Sequence, residues 1–179
     1  MTAADPLTAL ALRARTGDAG AQAAFVRGTQ AEVWRFTAAL VDPGAADDLT
    51  QETFLRAFKA LPGFEGRATV RTWLLGIARR TCADHLRAVV RRRRLDARLA
   101  AQAWTDIPRQ SDPGHRLGAA DLLSRLGEER KSAFVLTQVL GMSYAEAAAI
   151  EEVPVGTIRS RVARAREDLV SAVAAAQAS

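Results

Sequence analysis

The chain has one cysteine, Cys82, and two histidines, His85 and His115, among 179 residues. A single thiol excludes an intrachain disulfide and a cysteine-based zinc site. In its helical apolar register Cys82 reads as a small buried hydrophobe rather than a redox sensor, and the lone histidines read as structural or surface groups. Aromatics are scarce too, at 6%, while alanine, leucine and valine dominate, which favours helix over sheet. No run approaches the ~20 apolar residues of a membrane span. The segment Met1-Thr-Ala-Ala-Asp-Pro6 lacks the basic and apolar regions of a secretion signal. There is no strand alternation, no internal repeat and no Gly-x-x-x-x-Gly-Lys phosphate cradle. A cytoplasmic, all-α chain with no cofactor and no metal is expected.

What is present is charge, unevenly placed. The formal net charge is +5. Residues 1–60 carry six basic and seven acidic groups, whereas 65–98 carry ten arginines against three acids, and 154–166 carry four arginines and no acid. Two basic blocks separated by roughly fifty-five residues suggest two phosphate-facing surfaces. The near-neutral first third suggests a different partner.

Periodicity and breakers divide the chain. Helices are expected over 7–16 and 19–40, with Asp18 as a cap and Phe25, Val33, Trp34 and Phe36 supplying apolar weight. Asp42-Pro-Gly44 interrupts. Residues 45–58 form a helix burying Leu49, Phe54, Leu55 and Phe58, and Leu61–Gly66 is a turn-rich loop. One long helix runs from Thr69 to about Arg94. It points Trp73, Leu74, Ile77, Ala78, Thr81, Cys82 and Leu86 inward, and Arg71, Arg79, Arg80 and Arg87 outward. Residues 95–116 lose periodicity and read as a flexible linker, helical at most at its start. Two helices meeting near Gly127 then bury Leu122, Leu123, Leu126, Phe134, Val135 and Leu136. The architecture expected is all-α: two small helical domains (1–94 and 117–171), a linker (95–116) and an Ala-rich tail (172–179) that frays.

Residues 140–166 carry the most specific pattern, a short helix, a tight turn and a second helix with four arginines. That is the layout of a helix-turn-helix. Pro154 suits a first helical position, and Ile158, Val162, Ala165 and Leu169 form one apolar stripe. Arg159, Ser160, Ala163 and Arg164 fall on the opposite side, where arginine can grip guanine bidentately. The turn residues up to Thr157 present free N–H groups that suit phosphate. Arg161 and Glu146 read either as a structural pair or, for Arg161, as a phosphate contact.

Three motifs in order resemble one family. Asp47-Asp-Leu-Thr-Gln-Glu-Thr-Phe54 looks like its polymerase-binding helix, Thr72-Trp-Leu-Leu-Gly-Ile-Ala-Arg-Arg-Thr-Cys-Ala-Asp-His-Leu-Arg87 like its promoter-melting helix, and Pro154–Arg166 like its −35-reading helix. The chain, over roughly 7–171, resembles the extracytoplasmic-function (group IV) sigma factors of the sigma-70 family. The resemblance implies a specificity subunit rather than an enzyme. Its partners would be RNA polymerase core (the clamp coiled coil of the largest subunit and the flap of the second-largest) and promoter DNA, with no membrane insertion. Many members are held by an anti-sigma factor, and nothing in the sequence identifies one.

By that resemblance Asp47, Asp48, Gln51 and Glu52 bind core. Phe64, Arg71, Arg79, Arg80 and Arg87 hold melted −10 DNA, an unstacked base sitting in the loop pocket. Thr157, Arg159, Ser160, Ala163 and Arg164 read the −35 duplex. Trp73 fits the core better than a stacking role, and Asp84 would orient a neighbouring arginine. The family often has asparagine where Arg80 stands, so its base preference there does not transfer. Arg91–Arg94 could track phosphates between the two elements, run toward polymerase, or begin a disordered linker.

Two other functions remain open on the residues alone. A stand-alone helix-turn-helix regulator with an N-terminal sensing or dimerisation domain would bind DNA unaided. A small metal-dependent nuclease using Asp47, Asp48 and Glu52 would need a second ligand cluster that the sequence lacks.

Overall fold

The computed structural model describes residues 5–103 and 118–177. All regular structure among them is helical, and none of their helices is long and apolar enough to cross a membrane. The first half comprises α1 (Pro6–Ala14), α2 (Ala19–Leu40), α3 (Pro43–Ala60), a 3-10 turn at Leu61–Gly63, and α4 (Val70–Ala103). The second comprises α5 (Ala119–Ser124), α6 (Glu128–Phe134), a π-helical turn at Val135–Val139, α7 (Tyr144–Glu151) and α8 (Val155–Gln177).

The helix starts follow local chemistry. Asp5, Asp18 and Asp42 accept hydrogen bonds from the N–H groups of Leu7, Ala21 and Gly44. These caps satisfy donors that have no partner inside the helix, and Pro6 and Pro43 preset the first turn. Ser143 and Glu146 form a reciprocal capping box at the start of α7. The chain reverses at Glu152, the described non-glycine residue with left-handed backbone (φ 56°), and α8 begins one residue after Pro154. Pro154 therefore precedes the first helical position instead of occupying it; its carbonyl accepts from Thr157 N–H at 2.9 Å.

Phe25, Val33, Phe36, Leu74, Leu75, Val135, Leu136, Ile158 and Val162 are all essentially inaccessible, and one contiguous core runs through both halves. Threonines enter it without orphaned hydroxyls: those of Thr29, Thr50, Thr53, Thr81 and Thr137 donate to the carbonyl four residues back, at 2.7–3.0 Å. Helix α4 organises the molecule. It packs on α1, α2 and α3 and, along the same rod, on α7 of the second half.

Several expected burials fail. Leu55 is 57% exposed and Trp34 is 44% exposed, because the apolar sides of α2 and α3 centre on Phe25, Val33, Phe36, Leu49 and Phe54. Leu122, Leu123, Phe134, Phe58, Trp73 and Leu86 are half-buried at the core margin. Helix α4 continues to Ala103, past the expected start of the linker; Trp104–Leu117, with His115, lie outside the described residues. Helix α8 runs through the expected tail as far as Gln177.

Candidate nucleic-acid and polymerase interfaces

The acidic side of α3 is partly spoken for. Asp47, Asp48 and Gln51 are exposed, but Asp47 accepts the indole N–H of Trp34 at 2.7 Å. Glu52 accepts from Arg56 Nε at 2.7 Å, and Arg56 continues to Asp84 at 2.7 Å, which holds Arg87 at 2.6 Å. Hydrogen bonds from Arg56 and then Arg87 hold the Asp84 carboxyl below its usual range, and the bond to Asp84, then that to Glu52, raises Arg56. Asp84 does orient an arginine, as read from the sequence. Beside this chain of charges the exposed Leu55 borders a groove with Phe54, Phe58 and Val26.

The loop before α4 builds a recess. Gly63–Ala68 and Trp73 line an open cavity of about 340 Å³. Phe64 is buried, its ring 4.9 Å from that of Trp73 at 44°. Arg15 Nη1 donates to the Phe64 carbonyl at 3.0 Å, and Thr8 Oγ1 accepts from Val70 N–H at 3.0 Å. Helix α1 thus fixes both the loop and the start of α4. Gly66 has φ +72°, a conformation glycine takes without steric cost. Trp73 is at once a core-margin residue and a wall of the recess.

The four arginines expected along α4 do not share one exposed face. Arg71 is bidentate to Glu32 of α2 and also donates to the Leu140 carbonyl of the second half. The bond to Glu32 raises its pKa above the ordinary arginine value. Arg79 donates from Nε to Glu151 at 2.9 Å and from Nη1 to Glu128 at 3.3 Å, and its side chain is only 17% exposed. Arg80 pairs with Glu152 at 2.8 Å in solvent, and Arg87 is exposed beside Asp84. In this arrangement Arg71, Arg79 and Arg80 bind acceptors of the second half. The expectation of a free outward row fails because α7 and its corner pack where solvent was expected.

Glu151 is the hub that the sequence reading missed. Its side chain is 2% exposed. It accepts from Arg79 and the Ser132 hydroxyl, and Arg161 lies 3.6 Å away. Arg161, 15% exposed, also meets Glu129 at 2.7 Å. Arg161 is therefore structural, but its partners are Glu129 and Glu151 rather than Glu146, which is engaged by Ser143. A local signal existed: two carboxylates at the C-terminal end of α7 oppose the helix dipole and call for cationic partners.

The second helix of the helix-turn-helix is arranged as its periodicity requires. Ile158, Val162 and Ala165 are buried and Leu169 is half-buried, while Arg159, Ser160, Ala163 and Arg164 are exposed and Thr157 is half-buried. Ser160 Oγ donates to the Thr157 carbonyl at 2.9 Å. Among the described residues neither Arg159 and Arg164 nor a carboxylate forms an ion pair on this face; Arg130–Asp168 and Arg166–Gln138 tie α8 to the rest of its half instead. Cys82 is buried, and desolvation pushes its thiol up to about 12. Among the described residues no three His, Cys, Asp or Glu side chains converge as metal ligands.

Comparison with known proteins matches this geometry to one group. Residues 25–94 match the family model of sigma-70 region 2, and residues 117–169 that of sigma-70 region 4. The ECF RNA polymerase sigma factor SigC of Mycobacterium tuberculosis is 49% identical over 173 residues, covering 93% of this chain and 91% of that protein. The ECF RNA polymerase sigma-E factor of Escherichia coli is 34% identical over 167 residues, covering 87% of each. Among solved structures, the sigma factor RpoE in complex with the anti-sigma factor NepR from Bartonella quintana aligns at TM-score 0.62 and 26% identity, covering 80% of this chain and 91% of that one. CnrH in complex with the cytosolic domain of CnrY shares the fold at TM-score 0.71 and 24% identity, covering 96% and 99%. With relatives aligned over nearly its whole length and both sigma regions in order, the chain belongs to the extracytoplasmic-function sigma factors of the sigma-70 family, which direct promoter-specific transcription initiation.

Proposed function

We propose that the chain works as two modules, 1–94 and 117–171, joined through 95–116 and followed by a tail at 172–179. The first module binds RNA polymerase core through Asp47, Asp48, Gln51 and Glu52 and captures melted −10 DNA. The second reads the −35 duplex through Thr157, Arg159, Ser160, Ala163 and Arg164. Core supplies the catalysis, and the chain works in the cytoplasm.

The observation that carries this reading is the recess at the head of α4. An aromatic-walled cavity opens directly onto a helix whose next turns carry Arg71, Arg79, Arg80 and Arg87. A flipped base stacks against such walls while cations follow its phosphates. Phe64, buried beneath Trp73, shapes the recess; Trp73, half-exposed, supplies the accessible ring face.

Promoter capture then exchanges one set of acceptors for another. Phosphates must take over Arg71, Arg79 and Arg80 from Glu32, Glu151, Glu152 and the Leu140 carbonyl. The chain alone should therefore hold promoter DNA weakly, and core should strengthen that hold by parting the two halves, which frees Arg79 and Arg80 while Arg71 keeps Glu32 of its own half. The complex of the Bartonella quintana relative with an anti-sigma factor supports an inhibitory protein of that class as a further partner. In vitro transcription on a promoter library, with bacterial core polymerase plus or minus this chain, tests the reading. Newly directed start sites with shared −10 and −35 sequences are expected; their absence, or promoter binding as tight without core as with it, would refute it.

A further inference from the structure

The proposed function leaves the distal half of α4 without a task. Arg91, Arg92, Arg93, Arg94 and Arg98 are all exposed, and none of them forms an ion pair among the described residues. This differs from the proximal half, where Arg71, Arg79, Arg80 and Arg87 each meet a carboxylate.

The helix sorts these cations. At 3.6 residues per turn, Arg87, Arg91, Arg94 and Arg98 fall within roughly 60° of one another and form a single row. Asp96, the one acid between Arg87 and Ala103, lies on the opposite side, roughly 180° from Arg87. The row spans roughly 16 Å of helix axis, close to five base pairs at ~3.4 Å per step along one strand. A regular row of like charges suits a polymer of regularly repeating anions better than an irregular protein surface.

The neighbouring side chains decide which polymer. Single-strand sites combine cations with aromatic stacking platforms, yet no Phe, Trp or Tyr occurs from Leu74 to Ala103, and the one imidazole, His85, lies roughly 160° around the helix from Arg87. Arg87, Arg91 and Arg94 share a cleft with Leu86, Val90 and Glu128, and the other exposed apolar groups nearby are Leu95 and Leu99; none of these offers a ring face. A paired helix, whose bases are already stacked, needs only the cations.

We propose that Arg87, Arg91, Arg94 and Arg98 form a sequence-independent track for the phosphates of duplex DNA between the two promoter elements. This inference rests on the sigma-factor reading above, which puts melted −10 DNA on the proximal half of the same helix and gives the −35 duplex to the half that follows it in the chain. The unread DNA nearest the row is therefore the spacer. Contact there adds affinity through counterion release without restricting which promoters are chosen.

The test uses holoenzyme assembled from core polymerase and the full chain, with a promoter duplex recovered by the library experiment. The variant is R91Q/R94Q/R98Q, which leaves Arg87 in place because that residue also faces −10 DNA. Promoter affinity is measured against salt concentration. Loss of three phosphate contacts should reduce the steepness of the log–log salt plot by about three and lower affinity on the order of 10- to 100-fold at moderate salt. The loss should be the same when the spacer sequence is replaced at constant length. Core affinity, binding of a single-stranded −10 oligonucleotide and the thermal midpoint should stay at wild-type values. The R91K/R94K/R98K variant should recover most of the slope.

An unchanged salt slope overturns the proposal. So does a loss that depends on spacer sequence, which indicates base reading, or a loss of core or single-strand affinity, which places the row on polymerase or on unpaired nucleic acid. Wild-type holoenzyme that initiates nowhere removes the parent reading and the track with it. An initiating wild type beside a variant of unaltered slope removes the track alone.

Discussion

Arg79 Nε donates to Glu151 Oε1 at 2.9 Å although 72 positions separate them. Glu151 is almost wholly out of water, with Arg161 and the Ser132 hydroxyl also upon it. One carboxylate thus neutralises a cation from each half of the molecule. A buried charge of this kind is costly to leave unmatched.

Glu151→Gln keeps the shape and deletes the charge, leaving Arg79 and Arg161 facing a neutral amide. We expect a loss of about 3 kcal/mol in urea unfolding. A loss below about 1 kcal/mol, the scale of exposed pairs, would show that water already screens the site.

Arg80 provides the contrast. Its pair with Glu152 is exposed on both sides, at 60% and 70%. Arg80→Ala should therefore change stability by no more than about 0.5 kcal/mol. Affinity of the holoenzyme for a single-stranded −10 oligonucleotide should fall roughly tenfold, the cost of one charged contact at about 1.4 kcal/mol. Unaltered oligonucleotide binding would remove Arg80 from the −10 surface.

Arg164 tests the other module. It is exposed and free of ion pairs among the described residues, on the same face as Arg159 and Ser160. Arg164→Ala should weaken −35 duplex recognition by about 1–3 kcal/mol, the value of one good base contact. Core affinity, measured by competition with unlabelled chain, should not move. Parallel losses in both would contradict the division of labour.

The start of α7 gives a pH dependence. Ser143 donates to Glu146 Oε2 from its hydroxyl at 2.7 Å and from its backbone N–H at 2.9 Å, and these bonds, the hydroxyl's first, hold the carboxyl below the usual glutamate range. A depressed folded-state pKa means the contribution is complete above the unfolded value and disappears as pH falls through the folded one. At neutral pH Glu146→Ala should cost about 1 kcal/mol. Under acid the wild type and the variant should converge; a gap that persists at low pH would show that the carboxylate charge is not the stabilising element.

Helix positions were readable because the signals are local. Asp18 before α2, Asp42-Pro43 before α3, and the Ile158–Val162–Ala165 stripe each act within a turn or two of chain. What escaped was decided over long range. Nothing near Arg71 announces Glu32, and nothing near Arg79 announces Glu151, since these partners are 39 and 72 residues away. The same holds for Leu55 and Trp34, whose apolarity suggested burial although their helices turn them outward. Of the two roles open to Arg161 on the sequence, the structural one is observed, with Glu129 and Glu151 in place of Glu146, whose carboxylate is committed to its own cap. Helix α4 outlasts the end expected near Arg94 because loss of apolar periodicity marks the end of a buried stripe, not the end of a helix. From Leu95 to Ala103 the chain is mostly leucine, alanine and arginine, which prolong a helix, and no proline occurs before Pro108.

Because α4 is one unbroken rod of 34 residues, it fixes angle as well as distance. Inserting a single alanine between Arg87 and Arg91 would advance every later side chain by ~1.5 Å and swing it by about 100°. Chemistry upstream of the insertion would be untouched, while everything downstream would face a new direction. Evolution of the proximal and distal segments is thereby geared: either can change its residues freely, but neither can change its length without re-aiming the other.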